Sequence, residues 1–302
     1  MIAIFSKTFD RNTGTVARRL IKVFRNEIKG RENKKILLYK PLKNYLFTSR
    51  LDHWHTFVGY DDIDSNIRLL ISLGGDGTFL DSINIVRDRG IPVMGINTGN
   101  LGFLSNIAKS ISTKFVESLV EKLLTGDLPI EERTLLHATI NDKPAVDFPY
   151  ALNDVVIHKN TSGLITIHTW SNDDLLNSYW ADGLIVATPT GSSAYSLSVG
   201  GPIVAPESQN FIISPIAAHN LNVRPLVIPD NVTLKLKPES RNKGTFKLSL
   251  DSRTVEYTSG TTIQIKRADF KIKIVKTSSF YTTLRKKLMW GVDKRKGTCI
   301  PK

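Results

Sequence analysis

Leu69-Leu70-Ile71-Ser72-Leu73-Gly74-Gly75-Asp76-Gly77-Thr78 runs from a short apolar stretch directly into a turn holding three glycines. The five residues before the turn have the length of a strand buried on both faces. Gly74, Gly75 and Gly77 allow positive φ and remove the Cβ atoms that would hold a phosphate away from the backbone. A helix starting near Thr78 then offers free N–H groups to an anion, and Thr78 with Asp81 fits a capping box at that start. Asp76 is the odd member, because a carboxylate among phosphate-binding glycines repels the ligand unless it binds a metal ion or accepts a proton. A tight strand-to-helix turn with Asp as a cap is the structural alternative. The spacing is neither that of a P-loop nor the G-x-G-x-x-G of a hydride-transferring dinucleotide fold.

On either side of this turn the first third of the chain repeats the pattern. Ile2–Phe5, Lys35–Tyr39 and Pro92–Ile96 are further short apolar runs, and Ala17, Leu20, Ile21, Phe24 and Ile28 recur at helical spacing between basic residues. Strands alternating with helices predict βαβ units and a parallel sheet up to about residue 105. Thr113 to Thr125 carries one more apolar stripe, and Gly126 is placed to end that helix. Beyond it the period changes from helical to two. Leu135–Ile140, Leu152–His158, Leu164–Trp170, Leu184–Ala187, Val232–Lys237, Phe246–Leu250, Ile263–Lys266 and Phe270–Ile274 read as strands, several alternating apolar with Lys, Thr or Ser. The predicted organisation is an α/β domain over 1–105, an all-β domain over 106–275 and a basic tail over 276–302, with a short helix from Tyr281 to Gly291.

Three further segments carry chemistry. Asn97-Thr98-Gly99-Asn100-Leu101-Gly102-Phe103-Leu104 follows a parallel strand, where open α/β sheets bind ligands, although a plain interdomain connection explains it as well. Asp182 opens an apolar strand that ends in Thr188-Pro189-Thr190-Gly191-Ser192-Ser193-Ala194-Tyr195-Ser196. Small residues there let a planar group approach, hydroxyls hydrogen-bond it and Tyr195 adds a ring; a β-sandwich corner is the bland reading. Asn153-Asp154 suits a ribose diol, and two adjacent side chains on one ligand imply a bulge or a strand end; a solvated strand end is the commoner account of such a pair.

Composition narrows the class. The 302 residues are 41% apolar and 23% charged, which excludes disordered, collagen-like and disulfide-scaffold chains. No apolar run approaches the ~20 residues needed to cross a bilayer, and the N-terminus lacks a signal-peptide pattern, so the expectation is a cytoplasmic protein without a membrane partner. Cys299, the single cysteine, excludes an intrachain disulfide and a cysteine zinc cluster. The net charge of +13 favours an anionic partner, with seven basic residues against one acid between Arg285 and Lys302. No helix-turn-helix, zinc-finger or RNP-type motif accompanies it, so nucleic acid is not expected.

Taken in order, GGDGT at 74–78, NTGNLGFL at 97–104, LNDVV at 152–156, DGLIVATPTGSSAYS at 182–196, GGPIV at 200–204, RPLV at 224–227 and TLRKKLMWG at 283–291 resemble the NAD kinase family. GGDGT alone is shared with diacylglycerol and sphingosine kinases and with phosphofructokinases; the 182–196 segment is more specific. The resemblance implies a phosphofructokinase-like α/β domain with a β-sandwich. It also implies metal-assisted transfer of the γ-phosphoryl group of ATP to the 2′-hydroxyl of the adenosine ribose of NAD, Mg²⁺ being the default ion. It implies no metal ligands by number. By the same resemblance Asp76 is the proton acceptor with Gly77 its neighbouring NAD contact, and Gly74, Gly75, Gly77 and Thr78 face the phosphates of ATP. Asn153 and Asp154 hold NAD, Ser193, Ala194, Tyr195 and Ser198 line the adenosine pocket, and Asp182 contacts the dinucleotide partly across a subunit boundary in a homodimer or homotetramer. Three positions depart from the family pattern: Asp154 stands for the usual Glu, Ser193 for the usual Thr, and Trp180 for a basic residue. A lipid kinase of the same superfamily and a silent dinucleotide sensor are the rival expectations. The TPTGS segment argues against the first and the intact Asp76 against the second.

Overall fold

The computed structural model describes residues 1–27, 35–47, 54–99, 102–160, 163–240 and 244–290. Ile28, Asn100, Leu101, Gly291 and the rest of the tail, with Cys299, lie outside them. The chain divides into two compact units, residues 1–131 with 272–302, and residues 132–271.

In the first unit the elements run β1 (Ile2–Phe5), α1 (Arg11–Glu27), β2 (Ile36–Tyr39), α2 (Lys40–Leu46), β3 (His55–Phe57), β4 (Leu69–Leu73), α3 (Asp76–Val86), β5 (Val93–Ile96) and α4 (Thr113–Thr125). The strands form a parallel sheet in the order β3-β2-β1-β4-β5. β1, β4 and β5 are buried throughout, which explains why each reads as an uninterrupted apolar run. The stripe of α1, Val16, Ala17, Leu20, Ile21 and Phe24, packs with Val116, Leu119, Val120 and Leu123 of α4 in one core cluster. Residues 106–131, expected with the β half, therefore belong to this unit. Gly126 ends α4 at φ 85°, as its place in the sequence predicts, and at the start the Ser112 hydroxyl caps the helix, accepting from Phe115 N–H at 3.1 Å.

In the second unit come β6 (Ile130–Ile140), whose first residues belong to the first unit, then β7 (Lys143–Pro144), β8 (Tyr150–Ala151), β9 (Asp154–Lys159), β10 (Ile165–Ser171), β11 (Asp174–Ala181), β12 (Gly183–Ala187) and the single turn α5 (Tyr195–Ser198). They are followed by β13 (Asn210–Ile216), β14 (Leu226–Pro229), β15 (Leu234–Ser240), β16 (Thr245–Leu250), β17 (Arg253–Thr258) and β18 (Ile263–Val275), whose last residues return to the first unit beside β5 before α6 (Phe280–Leu288). One antiparallel sheet has the order β14-β13-β12-β9-β16-β17. A second sheet runs β11-β10-β15-β18, with β6 pairing β18. Side chains of both sheets, such as Leu184 and Leu248 with Ile167 and Leu236, form one buried core, a β-sandwich. β9 and β12 are buried on both faces, because Val156, Ile185 and Ala187 are covered by a second cluster that includes Val199 and Val204. That cover explains an apolar run in an antiparallel sheet. The two C-terminal runs expected as separate strands form the single strand β18.

Candidate active site

From β1 the first unit's chain goes to one side for β2 and β3 and to the other for β4 and β5. The carboxyl ends of β1 and β4 thus flank the point where the winding reverses, the crevice in which such sheets bind ligands. The Ser6 hydroxyl donates to Leu73 O at 2.7 Å and joins the two ends, while Thr13 Oγ1 donates to Thr98 Oγ1 at 3.1 Å and ties α1 to the loop after β5.

At the end of β4 the chain enters α3 through Gly75 as N-cap, three residues before the cap expected at Thr78. Thr78 is not the cap. It lies buried in the first turn and folds over Gly74, whose φ is +153° and where a Cβ would overlap the Thr78 hydroxyl. Asp81 does not close a capping box either, since it pairs with Lys7 at 2.9 Å. Gly75 and Gly77 differ from Gly74: both are exposed, and a Cβ on either would meet no atom within 4 Å. Nothing in the packing of the described residues requires glycine there, so the space the two leave faces outward.

The Asp76 carboxylate accepts three backbone N–H groups, Phe103 on Oδ2 at 2.8 Å, and Leu104 and Ser105 on Oδ1 at 3.1 and 2.9 Å. Gly102 is required by this approach, because a Cβ there would overlap the carboxylate. A carboxylate has about four acceptor positions, which leaves room for roughly one more donor. The NTGNLGFL loop and the GGDGT turn are therefore one construction.

In the second unit Ala187 at the end of β12 pairs with Asp154 at the start of β9, which brings the TPTGS loop to Asn153. Thr188 N–H donates to Asn153 O at 2.9 Å and its hydroxyl to Leu152 O at 2.6 Å. Gly191 lies so close that a Cβ would overlap Asn153 O. From the other side the Asp251 carboxylate accepts the N–H groups of Leu152, Asn153 and Asp154 at 2.9, 2.8 and 3.3 Å. Burial, and secondarily the Asp251 charge, push the Asp154 carboxyl up to about 7. Burial also pushes Asp251 up, opposed by its backbone donors and Arg253.

Tyr195 and Ser198 are exposed, and Ser193 and Ala194 are half-buried. The Tyr195 ring stacks on His158 with centroids 5.7 Å apart, and burial first, then Lys247, holds His158 below its usual range. Asp182, at the far end of β12 from Asn153, pairs with Lys159 at 2.6 Å. Trp180 is 54% exposed. Lys7, His158 and Asp251 belong to these groupings without any motif of their own, and Thr188 lies in the TPTGS segment without a role of its own assigned there; Asp251-Ser252 reads only as a hairpin turn between alternating strands.

Among the described residues no group of three or more His, Cys, Asp or Glu could hold a metal ion, and the oxygens of Asp76 are largely occupied by N–H donors. These residues do not fit a cation site built by the protein alone. Among them, no helix is long and apolar enough to cross a membrane.

Residues 15–128 match the family model of the ATP-NAD kinase N-terminal domain, and residues 152–277 that of the C-terminal domain. A protein of Flavobacterium psychrophilum named NAD kinase is 40% identical over 301 residues, covering 97% of this chain and 99% of its own. The chain belongs to the NAD kinase family. A second member, from Christiangramia forsetii, is 46% identical over 249 residues, 81% of this chain and 83% of its own. Among solved structures, yeast NADH kinase complexed with NADH matches with a TM-score of 0.83 at 25% identity, over 98% of this chain and 89% of that one. An NAD kinase from Archaeoglobus fulgidus in complex with ATP shares the fold, with a TM-score of 0.71 at 22% identity over 95% and 98%. Family membership thus covers both the Asp76 turn and the Asn153 loop.

Proposed function

We propose that this chain transfers the γ-phosphoryl group of ATP to the 2′-hydroxyl of the adenosine ribose of NAD, releasing NADP and ADP. The observation that carries the reading is Asp76 at the head of α3, between two exposed glycines that no atom of the described residues crowds. Asp76 takes the hydroxyl proton through its remaining acceptor position while the ribose oxygen attacks the γ-phosphorus and the bond to the β-phosphate breaks toward ADP. Gly75 and Gly77 offer the open backbone of the phosphate-facing turn at the helix N-terminus, which favours negative charge, while Gly74, whose N–H donates to Ile96 O at 3.0 Å, and the buried Thr78 shape the turn behind them. Lys7, paired with Asp81 of α3 at 2.9 Å, is proposed as a cation of the donor site.

On the acceptor side Asn153 and Asp154 take the ribose of NAD, and Asp154 in its protonated form donates a hydrogen bond. Ser193, Ala194, Tyr195 and Ser198 line the adenosine pocket, and Asp182 contacts a dinucleotide of the neighbouring subunit in a homodimer or homotetramer. A phosphoryl transfer from ATP needs a divalent ion; here Mg²⁺ comes as part of the ATP substrate complex, since the described residues build no cluster for it. Both substrates are available in the cytoplasm, the compartment proposed for the enzyme.

Purified protein supplied with ATP and Mg²⁺, and with NAD, NADH or a diacylglycerol, tests this directly. NADP or NADPH formed with stoichiometric ADP is expected. Lipid phosphate, or no transfer to either dinucleotide, would reject the reading.

A further inference from the structure

The turn between β16 and β17 is only two residues long, Asp251 and Ser252, and Asp251 sits at φ 50°. Such a turn is served by Asn, Gly or an exposed Asp; it has no need of a carboxylate whose side chain is 5% exposed. A buried carboxylate is costly unless its lone pairs are filled, so its partners show what it is for. Those partners are the N–H groups of three consecutive residues, Leu152 on Oδ2, and Asn153 and Asp154 on Oδ1. Asp251 N–H in turn donates to Asp154 O at 3.0 Å. The next residue of the hairpin continues the pattern: the Arg253 guanidinium, 4.0 Å from Asp251 Oδ2, donates to the carbonyls of Phe148 and Tyr150. One hairpin end therefore grips residues 148–154 from the donor and the acceptor side.

The opposite face of the same backbone is held by Thr188, and Gly191 packs directly against Asn153 O. Asn153 thus has its N–H fixed by Asp251 and its C=O fixed by Thr188, while its side chain is half-buried. A side chain whose backbone is clamped on both sides starts from a narrow range of orientations, which lowers the ordering cost of binding.

We propose that Asp251 is the positioning residue of the acceptor subsite: by clamping the N–H groups of Leu152, Asn153 and Asp154 it sets Asn153 for NAD without touching the dinucleotide itself. This rests on the reading that Asn153 contacts NAD. It goes beyond that reading in assigning the acceptor's affinity to a hairpin about a hundred residues further along the chain.

The test compares Asp251→Asn and Asn153→Ala with the wild-type chain, reading KM for NAD and for ATP separately together with amide hydrogen exchange in peptides spanning 150–156. An amide keeps the size of Asp251 but replaces one acceptor oxygen with a donor, so at least one of the three N–H groups loses its partner. Asp251→Asn should speed exchange in 150–156 and raise KM for NAD about tenfold or more, with KM for ATP changed less than about threefold. Asn153→Ala should raise KM for NAD without speeding that exchange. If Asp251→Asn speeds exchange but leaves KM for NAD unchanged while Asn153→Ala raises it, Asp251 is only a fold contact and the proposal is overturned. An unchanged KM for NAD in Asn153→Ala overturns the acceptor reading and the proposal with it. Should Asp251→Asn fail to fold, Asp251→Glu, which keeps both acceptor oxygens one methylene further out, takes its place. Exchange quickened in 150–156 of that variant with KM for NAD within about twofold of wild type would also overturn the proposal.

Discussion

Asp76 holds three backbone N–H groups of residues 103–105 and is also the group proposed to take a proton, so its substitution acts in two ways. Asp76→Asn removes the base, and kcat should fall by about 10²–10⁴. It also turns a donor toward one of the three N–H groups, so amide exchange at 102–105 should quicken. Initial rates and exchange measured on the same preparation check both; a variant keeping more than about a third of wild-type kcat would remove Asp76 from the chemistry. Asp154 makes a prediction about pH. Its carboxyl is raised from 3.8 to about 7 in the folded chain, so between those values the folded state binds more protons than the unfolded one. Its contribution to stability is present below about pH 4 and is lost as pH rises through about 7. Asp154→Asn should match the wild type near pH 4 and exceed it at pH 8 by up to about 4 kcal/mol, read by urea unfolding at both pH values. A variant less stable than wild type at pH 8 would contradict the burial account.

At the scale of elements, the strand β4, the turn after it and the body and end of α4 were legible because each is set by local chemistry: a doubly buried run, glycines at the bend, an apolar stripe and a Gly stop. The start of α3 was not, because Thr78 and Asp81 satisfy a local capping pattern that tertiary partners override. Thr78 covers Gly74, and Asp81 is drawn to Lys7 on the loop after β1. β3, β14 and β17 lack the pattern that marks their neighbours: β3 has three residues, and β14 and β17 are edge strands with much of their surface exposed. Long-range groupings escaped for a related reason. Asp251 and Lys7 sit in stretches with ordinary turn and loop composition, and only pairing across the fold brings them to the site residues. Lys7 yields a prediction of its own. Lys7→Met keeps the stem and removes the charge beside the phosphate-facing turn, so KM for ATP should rise several-fold with KM for NAD unchanged. Equal changes in both constants would place Lys7 outside the donor site.

For the molecule as a whole, periodicity showed that a helical half gives way to a β half but not where the units divide. The stripe of α4 tells that this helix packs on something, not that its partner is α1, and the even alternation of β18 hides that its last residues pair with β5. The family resemblance carried the assignment of Asp182 to a shared site, and assembly tests it. Asp76 and Asp182 lie in different units, and in a closed oligomer a site shared across the two-fold axis draws them from different subunits. Mixing inactive Asp76→Asn with inactive Asp182→Ala chains should then restore part of the activity. Mixed oligomers shown by mass to have exchanged subunits, yet as inactive as their parents, would place Asp182 within its own chain's site. The central claim, that ATP phosphorylates the adenosine ribose of NAD on this chain, is tested most directly by ³¹P NMR of the wild-type reaction with NAD, ATP and Mg²⁺. One new 2′-phosphomonoester signal for each ADP formed, absent with Asp76→Asn, is the predicted result; ATP consumed with no phosphorus appearing on NAD would contradict it.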